Sequence, residues 1–281
     1  MKLQCANHTL DLSTPKIMGI LNITPDSFSD GGSYFQDGQA SLDLVLNRAE
    51  KMLAEGADIL DIGGESTRPG AAIVSEQEEL DRVIPVVEAL VEKFGALVSV
   101  DTSTASVIRE SAKKGAGIIN DIRALTREGA MVAAAETGLP ICLMHMQGQP
   151  QTMQDAPHYK DVVAEIAEFL QQRINACHQA GIAKERILID PGFGFGKTLA
   201  HNLALLARLP ELATLDVPIL VGLSRKSLLG QLLNRNVDER LPGSLALALA
   251  AAERGATIIR VHDVGATKDV LTVYNAIKNS A

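Results

Sequence analysis

Tryptophan is absent, and 281 residues contain only three tyrosines and six phenylalanines. A surface built to stack nucleic-acid bases needs more aromatic faces than that. Positive charge is also short: 26 Lys and Arg against 34 Asp and Glu leave a net charge of −8, with no Lys/Arg-rich run. Bulk nucleic-acid binding is excluded on that ground. The longest purely apolar run, Leu245 to Ala252, falls far short of the ~20 residues that span a bilayer. The opening residues Met1-Lys2-Leu3-Gln4-Cys5 form no apolar leader, which points to a cytoplasmic protein with no membrane role. Cys5, Cys142 and Cys177 are too scattered, and odd in number, for a disulfide framework or a zinc set. Reduced thiols are expected, with Cys142 packed in a strand. No Pro/Ser-rich stretch, low-complexity tract or charge block marks a linker.

What is present is a globular composition, 46% hydrophobic and 21% charged, in a length that suits one α/β barrel. Eight short aliphatic runs recur: 17–23, 59–62, 97–100, 118–122, 141–144, 187–189, 219–223 and 258–261. Near-continuous apolar character suits strands buried on both faces. Amphipathic stretches lie between most of them. Ser41–Glu55 carries a stripe of Leu42, Val45, Leu46, Ala49 and Leu53, and Glu76–Phe94 carries Leu80, Val83, Ile84, Val87 and Leu90 or Val91; 158–180 and 244–254 are further candidates. Strands alternating with helices imply parallel pairing and right-handed crossovers, so the chain reads as a single-domain (β/α)8 TIM barrel over 1–281, with its core at about 16–275.

An internal echo supports this. Gly56-Ala57-Asp58-Ile59-Leu60-Asp61 resembles Gly115-Ala116-Gly117-Ile118-Ile119-Asn120 and Gly255-Ala256-Thr257-Ile258-Ile259-Arg260. The glycine would end a helix in the left-handed conformation, and Asp61, Asn120 and Arg260 fall at one level late in their strands.

Polar residues gather at the carboxyl ends of the runs, where barrel chemistry sits. They include Asn22, Asp61, Asp101, Asn120, His145, Asp190, Ser224-Arg225-Lys226 and Arg260-Val261-His262-Asp263. Charge is costly to bury unless paired or used, so this pattern indicates an enzyme. Gly192-Phe193-Gly194-Phe195-Gly196-Lys197-Thr198 imitates a phosphate loop, but the position that needs glycine is Pro191, which lacks an N–H. Its glycines are expected to let the backbone approach a flat ligand. Asp101, Asn120 and Asp190 suit a neutral heterocycle with an amidine-like edge. Arg68, Arg225, Lys226, Arg260 and His262 form a cationic set for an anion, each close pair being worth ~4 kcal/mol at an effective dielectric of ~20. Asn22 could help to hold Mg²⁺ beside substrate phosphates. His8, His158, His178 and His201 are expected to be solvated. Two long loops, 24–39 and 63–73, are candidate lids.

Met18-Gly19-Ile20-Leu21-Asn22-Ile23-Thr24-Pro25-Asp26-Ser27-Phe28-Ser29-Asp30-Gly31-Gly32 and Asp61-Ile62-Gly63-Gly64-Glu65-Ser66-Thr67-Arg68-Pro69-Gly70 resemble the two signatures of the dihydropteroate synthase family. The other strand ends resemble it too, over residues 16 to 275. The resemblance implies a transferase that joins 6-hydroxymethyl-7,8-dihydropterin diphosphate to 4-aminobenzoate through a pterin cation, with Mg²⁺ as cofactor. It implies Asp101, Asn120, Asp190 and Lys226 on the pterin, with Met144, Phe195 and Arg260 packed around it. Asn22 would ligate the metal, and Asn22, Arg260 and His262 would meet the diphosphate. Phe28, Thr67, Arg68, Pro69, Ser224 and Lys226 would form the aminobenzoate side. Asp101, Lys226 and Arg260 would be the catalytic set. A homodimer and a sulfonamide-binding site are implied as well. Two alternatives stay open: a pterin-binding methyltransferase using methyltetrahydrofolate, and a binding protein without turnover.

Overall fold

The computed structural model describes residues 1–24, 35–36, 39–40, 42–66, 74–148, 152–153 and 156–280. Two N-terminal strands, β1 (Lys2–Cys5) and β2 (His8–Asp11), pair antiparallel, as do the two-residue strands β4 (Phe35–Gln36) and β5 (Gln39–Ala40). The other strands are β3 (Lys16–Asn22), β6 (Ile59–Gly63), β7 (Val98–Asp101), β8 (Ile118–Asp121), β9 (Ile141–Met144), β10 (Ile187–Asp190), β11 (Leu220–Gly222) and β12 (Ile258–Val261). They form one parallel sheet in the order β10-β9-β8-β7-β6-β3-β12-β11. Its two edges meet, with Ile189 N–H donating to Pro218 O at 3.0 Å and Ile189 bridging Ile219. The expected barrel is present, and each of the eight runs lies on one of its strands.

Nine α-helices occur among the described residues: α1 (Leu42–Ala54), α2 (Glu76–Phe94), α3 (Ala105–Lys113), α4 (Ala130–Thr137), α5 (Val162–Gln179), α6 (Leu199–Ala207), α7 (Ser227–Leu233), α8 (Leu241–Glu253) and α9 (Val264–Lys278). Helix α2 shows why its bounds were readable. Ser75 caps it in a reciprocal box with Glu78, Val83, Val86, Val87 and Leu90 are buried, and Gly95 ends it in the left-handed region. Helix α1 buries Val45, Leu46, Ala49 and Met52, whereas Leu42 is exposed, so the stripe starts one turn later than the sequence suggests. The echoed glycines do end helices: Gly56, Gly115 and Gly255 have φ of 98°, 92° and 93°. In each case the next residue donates back to the carbonyl five positions earlier. Gly181 (φ 84°) repeats the device after α5 with Ile182 N–H on Cys177 O, a fourth copy hidden by a different local sequence.

Side chains alternate across each strand, so every second residue faces the barrel axis. The lowest inner layer is apolar: Met18, Ile59, Ile118, Cys142, Leu188, Leu220 and Ile258 form one buried cluster. The β1–β2 hairpin adds Leu3, Cys5, Leu10 and Leu12 to that cluster and closes the amino end of the barrel. None of the eight runs includes this hairpin. Its strands read eBeB and ieBe, half-buried against a plug rather than buried on both faces. A second, larger cluster lies between the strands and the helices. All three cysteines are buried and unpaired in disulfides. No helix among the described residues is long and apolar enough to cross a membrane.

The plug generates a stability prediction. Leu3→Ala leaves a cavity against the barrel floor and is expected to destabilise the protein by about 2–5 kcal/mol. Urea unfolding measures this, and a loss well under about 1 kcal/mol would mean that the hairpin does not close the barrel.

Candidate active site

Two residues above the apolar floor, the inner layer turns polar. Strand register sets Asp61 beside Ser99, Asp101 beside Asn120, Asp190 beside Met144 and Gly222 beside Arg260. Asp61 is fully buried at the centre. It accepts from Ser99 Oγ and from Arg260 Nε at 2.6 Å each, and Asn120 Nδ2 lies 3.4 Å from both its oxygens. The same guanidinium donates through a second nitrogen to Asp101 Oδ2 at 3.1 Å. Arg260 is thereby bound to two carboxylates from two other strands. The sequence reading placed Arg260 on the pterin and the diphosphate; its ion pairs with these two carboxylates are an addition from the structure. Asp61 was not singled out from the sequence as a site residue, although the echo placed it level with Asn120 and Arg260. The missing fact was that all three side chains face inward.

Burial governs the charges. Asp101 lies among the carboxylates of Asp61, Asp121 and Glu65, and burial pushes it up to about 8 against the pull of Arg260. Asp190 is also raised by burial. Its Oδ1 accepts from Gly192 N–H at 2.7 Å. The Lys226 ammonium donates to Phe193 O, sits 4.6 Å above the Phe195 ring, and is pushed down to about 8 by burial. Met144 is buried and Phe195 half-buried. Asp101, Asn120, Met144, Asp190, Phe195, Lys226 and Arg260 therefore line one cup at the carboxyl end of the barrel. Asn22 stands on its rim, with Oδ1 3.3 Å from where a Cβ on Gly63 would lie.

Ser224 and His262 meet each other. The Ser224 hydroxyl accepts from His262 N–H at 3.3 Å and lies 3.1 Å from its Nδ1. Ser224 thus holds His262 at the cup's edge. Arg225, between Ser224 and Lys226, has a φ of 56° and grips Asp263 through Nε at 2.9 Å and Nη2 at 2.6 Å. Phe28, Thr67, Arg68 and Pro69 lie outside the described residues, as do most of the two expected lids. The described stub of the second, Gly64–Ser66, is anchored: Glu65 forms a paired ion contact with Arg123 at 3.0 and 3.1 Å, and Gly64 O accepts from Arg82.

The glycine-rich stretch corrects another expectation. A Cβ on Gly192 would lie 1.9 Å from His145 O, and one on Gly196 would lie 2.6 Å from Gln147 O. These glycines admit the protein's own backbone, not a ligand. His201 is likewise not simply solvated, since its Nδ1 accepts from Thr198 N–H in the cap of α6.

A family model for pterin-binding enzymes matches residues 18–262. The dihydropteroate synthase of Escherichia coli (strain K12) is 60% identical over 276 residues, covering 98% of this chain and 96% of the relative. The chain belongs to the pterin-binding enzymes, and among them to the dihydropteroate synthases. Solved structures of the family agree. A Yersinia pestis dihydropteroate synthase with a sulfonamide drug superposes with a TM-score of 0.95 at 58% identity, covering 99% of this chain and 100% of that one. The Xanthomonas albilineans enzyme with 4-aminobenzoic acid gives 0.91 at 50% identity, covering 99% and 98%. The chain is an enzyme of the transferase class, and whole-length synthase relatives set the methyltransferase and binding-only readings aside.

A neutral histidine behind the cup's wall, packed edge-on against Phe169 of α5, gives a pH prediction. His145 is held down to about 3 by burial and by the Lys197 ammonium, whereas the unfolded chain titrates near 6.5. Between those values the unfolded state takes up a proton that the folded state refuses, so stability falls as the pH drops from about 6.5 towards 3. His145→Asn removes this contribution. The wild-type lead over the variant in urea midpoint should shrink from pH 7 to pH 4, and a pH-independent gap would refute the assignment.

Proposed function

We propose that the cup joins 6-hydroxymethyl-7,8-dihydropterin diphosphate to 4-aminobenzoate, releasing diphosphate and forming 7,8-dihydropteroate. The observation that carries this reading is the convergence of Asp101, Asn120 and Asp190 with Lys226 and Arg260 at the carboxyl end of the barrel. Carboxylates and an amide complement the donor edge of an aminopterin, and Met144 and the Phe195 ring flank its plane. His262, held by Ser224 at the rim, is placed for the diphosphate, as is the cationic edge of Lys226 and Arg260.

The C–O bond to diphosphate breaks with its electron pair leaving on the diphosphate, which gives a resonance-stabilised pterin cation. In the carboxylate form that Arg260 favours against burial, Asp101 on the inner wall stabilises that cation electrostatically. The amine lone pair of 4-aminobenzoate then forms the new C–N bond, and the amine proton leaves to solvent or diphosphate. No tuned general base is required for the cleavage step. Phe28, Thr67, Arg68 and Pro69 are proposed for the aminobenzoate side from their family motifs alone.

The rim fits a magnesium ion held chiefly by substrate. Asn22 Oδ1 and Asp101 Oδ2 flank one point beside Gly63, at 3.3 and 3.9 Å from it. No cluster of three His, Cys, Asp or Glu suited to a protein-held metal exists among the described residues. Asn22 would hold Mg²⁺ together with phosphate oxygens, and the bound ion would neutralise charge on the leaving diphosphate. A homodimer is proposed too, on the exposed apolar side chains Leu232, Leu233, Val273 and Ile277 of helices α7 and α9, which both pack on α8. A cytoplasmic location accords with the three free thiols.

The decisive assay supplies purified protein with Mg²⁺, dihydropterin diphosphate and 4-aminobenzoate and follows dihydropteroate by chromatography. Product that vanishes with EDTA is expected. A bound pterin substrate with no product would overturn the proposed reaction. Asp101→Asn should keep substrate binding in calorimetry yet lower kcat by about 10²–10³-fold, the scale of losing one well-placed electrostatic group. Unchanged turnover would remove Asp101 from the mechanism.

A further inference from the structure

The loop that imitates a phosphate site turns its lysine the wrong way for a phosphate. Lys197 is 3% exposed, and its ammonium donates to Gly192 O at 2.8 Å and to Phe195 O at 2.9 Å. A third contact, 3.1 Å long, reaches His145 Nδ1 just beyond the end of β9. The neutral imidazole accepts there, which places its own proton on Nε2. Among the described residues no carboxylate lies within ion-pair distance of Lys197. A buried ammonium with only neutral acceptors carries a desolvation cost, and burial pushes it down to about 7.

The loop it fastens is shared by two pterin-facing residues. Gly192 N–H donates to Asp190 Oδ1, and Phe193 O accepts from Lys226. The Phe195 ring underlies the same Lys226 ammonium. Lys197 binds the carbonyls at both ends of this turn and ties them to the neighbouring strand. A shift of the turn would therefore move the donor to Asp190, the acceptor of Lys226 and the aromatic face together.

We propose that Lys197 is a positioning residue for pterin recognition, fastening the 192–196 turn to the end of β9 so that Asp190, Lys226 and Phe195 share one arrangement. The proposal rests on the reading that Asp190 and Lys226 hold the pterin. It explains why the Gly-Lys-Thr ending follows a strand without a phosphate to bind: the lysine serves the protein's own carbonyls.

The test compares Lys197→Met, which keeps the stem and removes the donors, with Lys197→Gln, which keeps an N–H donor. Calorimetry with 6-hydroxymethyl-7,8-dihydropterin and steady-state kinetics are the readouts, beside a thermal melt. Lys197→Met should weaken pterin binding by about tenfold or more, equivalent to about 1.4 kcal/mol. The KM for 4-aminobenzoate at saturating pterin substrate should hold within about twofold, and Lys197→Gln should recover part of the pterin affinity. A folded Met variant with wild-type pterin affinity overturns the proposal, as does an equal loss in both substrates. If the Met variant does not fold, the Gln variant decides by the same split. Asp190→Asn separates the two readings. If it abolishes pterin binding while Lys197→Met does not, only the role of Lys197 falls. If it too leaves binding intact, the pterin reading itself fails.

Discussion

A fully buried carboxylate at the heart of the barrel constrains everything above it. Asp61 has no solvent to stabilise its charge, and it draws a hydroxyl, an amide and a guanidinium from three other strands. Removing one partner of such a buried pair costs about 3–5 kcal/mol, because the other charge is then stranded. Arg260 comes from 199 residues further along the chain. The strand order sets the second and last barrel strands on either side of β3, so the two side chains meet across one intervening strand. The guanidinium then reaches Asp101, so the charge at the base of the cup also sets the group proposed to face the pterin cation.

The cup works because of what lies beneath it. Below Asp61 the inward layer is wholly apolar and sealed by the β1–β2 hairpin, which keeps water from the floor. Low polarability strengthens each contact above. It also raises Asp101 and Asp190 and lowers Lys226. Acid and base are thus brought towards each other in proton affinity by one cause. A pterin that satisfies both signs replaces solvent the site excludes. The short strands, mostly four residues long, allow one apolar layer and one polar layer with little to spare.

Much of this was legible in the sequence because parallel barrel strands advertise themselves. Strands buried on both faces leave near-continuous aliphatic runs, and functional groups concentrate at their carboxyl ends. The Gly-Ala-x-Ile echo marks the same helix stop three times, since a left-handed residue is needed wherever a helix turns down into the sheet. The hairpin escaped because a plug buries one face only. Asp61 escaped because run and spacing do not say which side of a strand faces the axis. The roles of Gly192 and Gly196 are hidden from sequence, which cannot show that His145 O and Gln147 O already occupy that space.

By itself, the sequence determined the eight-fold alternation, the end of the barrel that carries the chemistry and the family signatures. Local pattern suffices for these, because burial and helix termination act over a few neighbouring residues. The tertiary structure alone decided which polar groups satisfy one another. Arg260 with Asp61 and Asp101, Ser224 with His262, and Lys197 with the carbonyls of its own loop are such choices. The first two depend on strand order and the third on how the loop folds back, and each brings polar atoms within about 3 Å where burial makes an unsatisfied group costly.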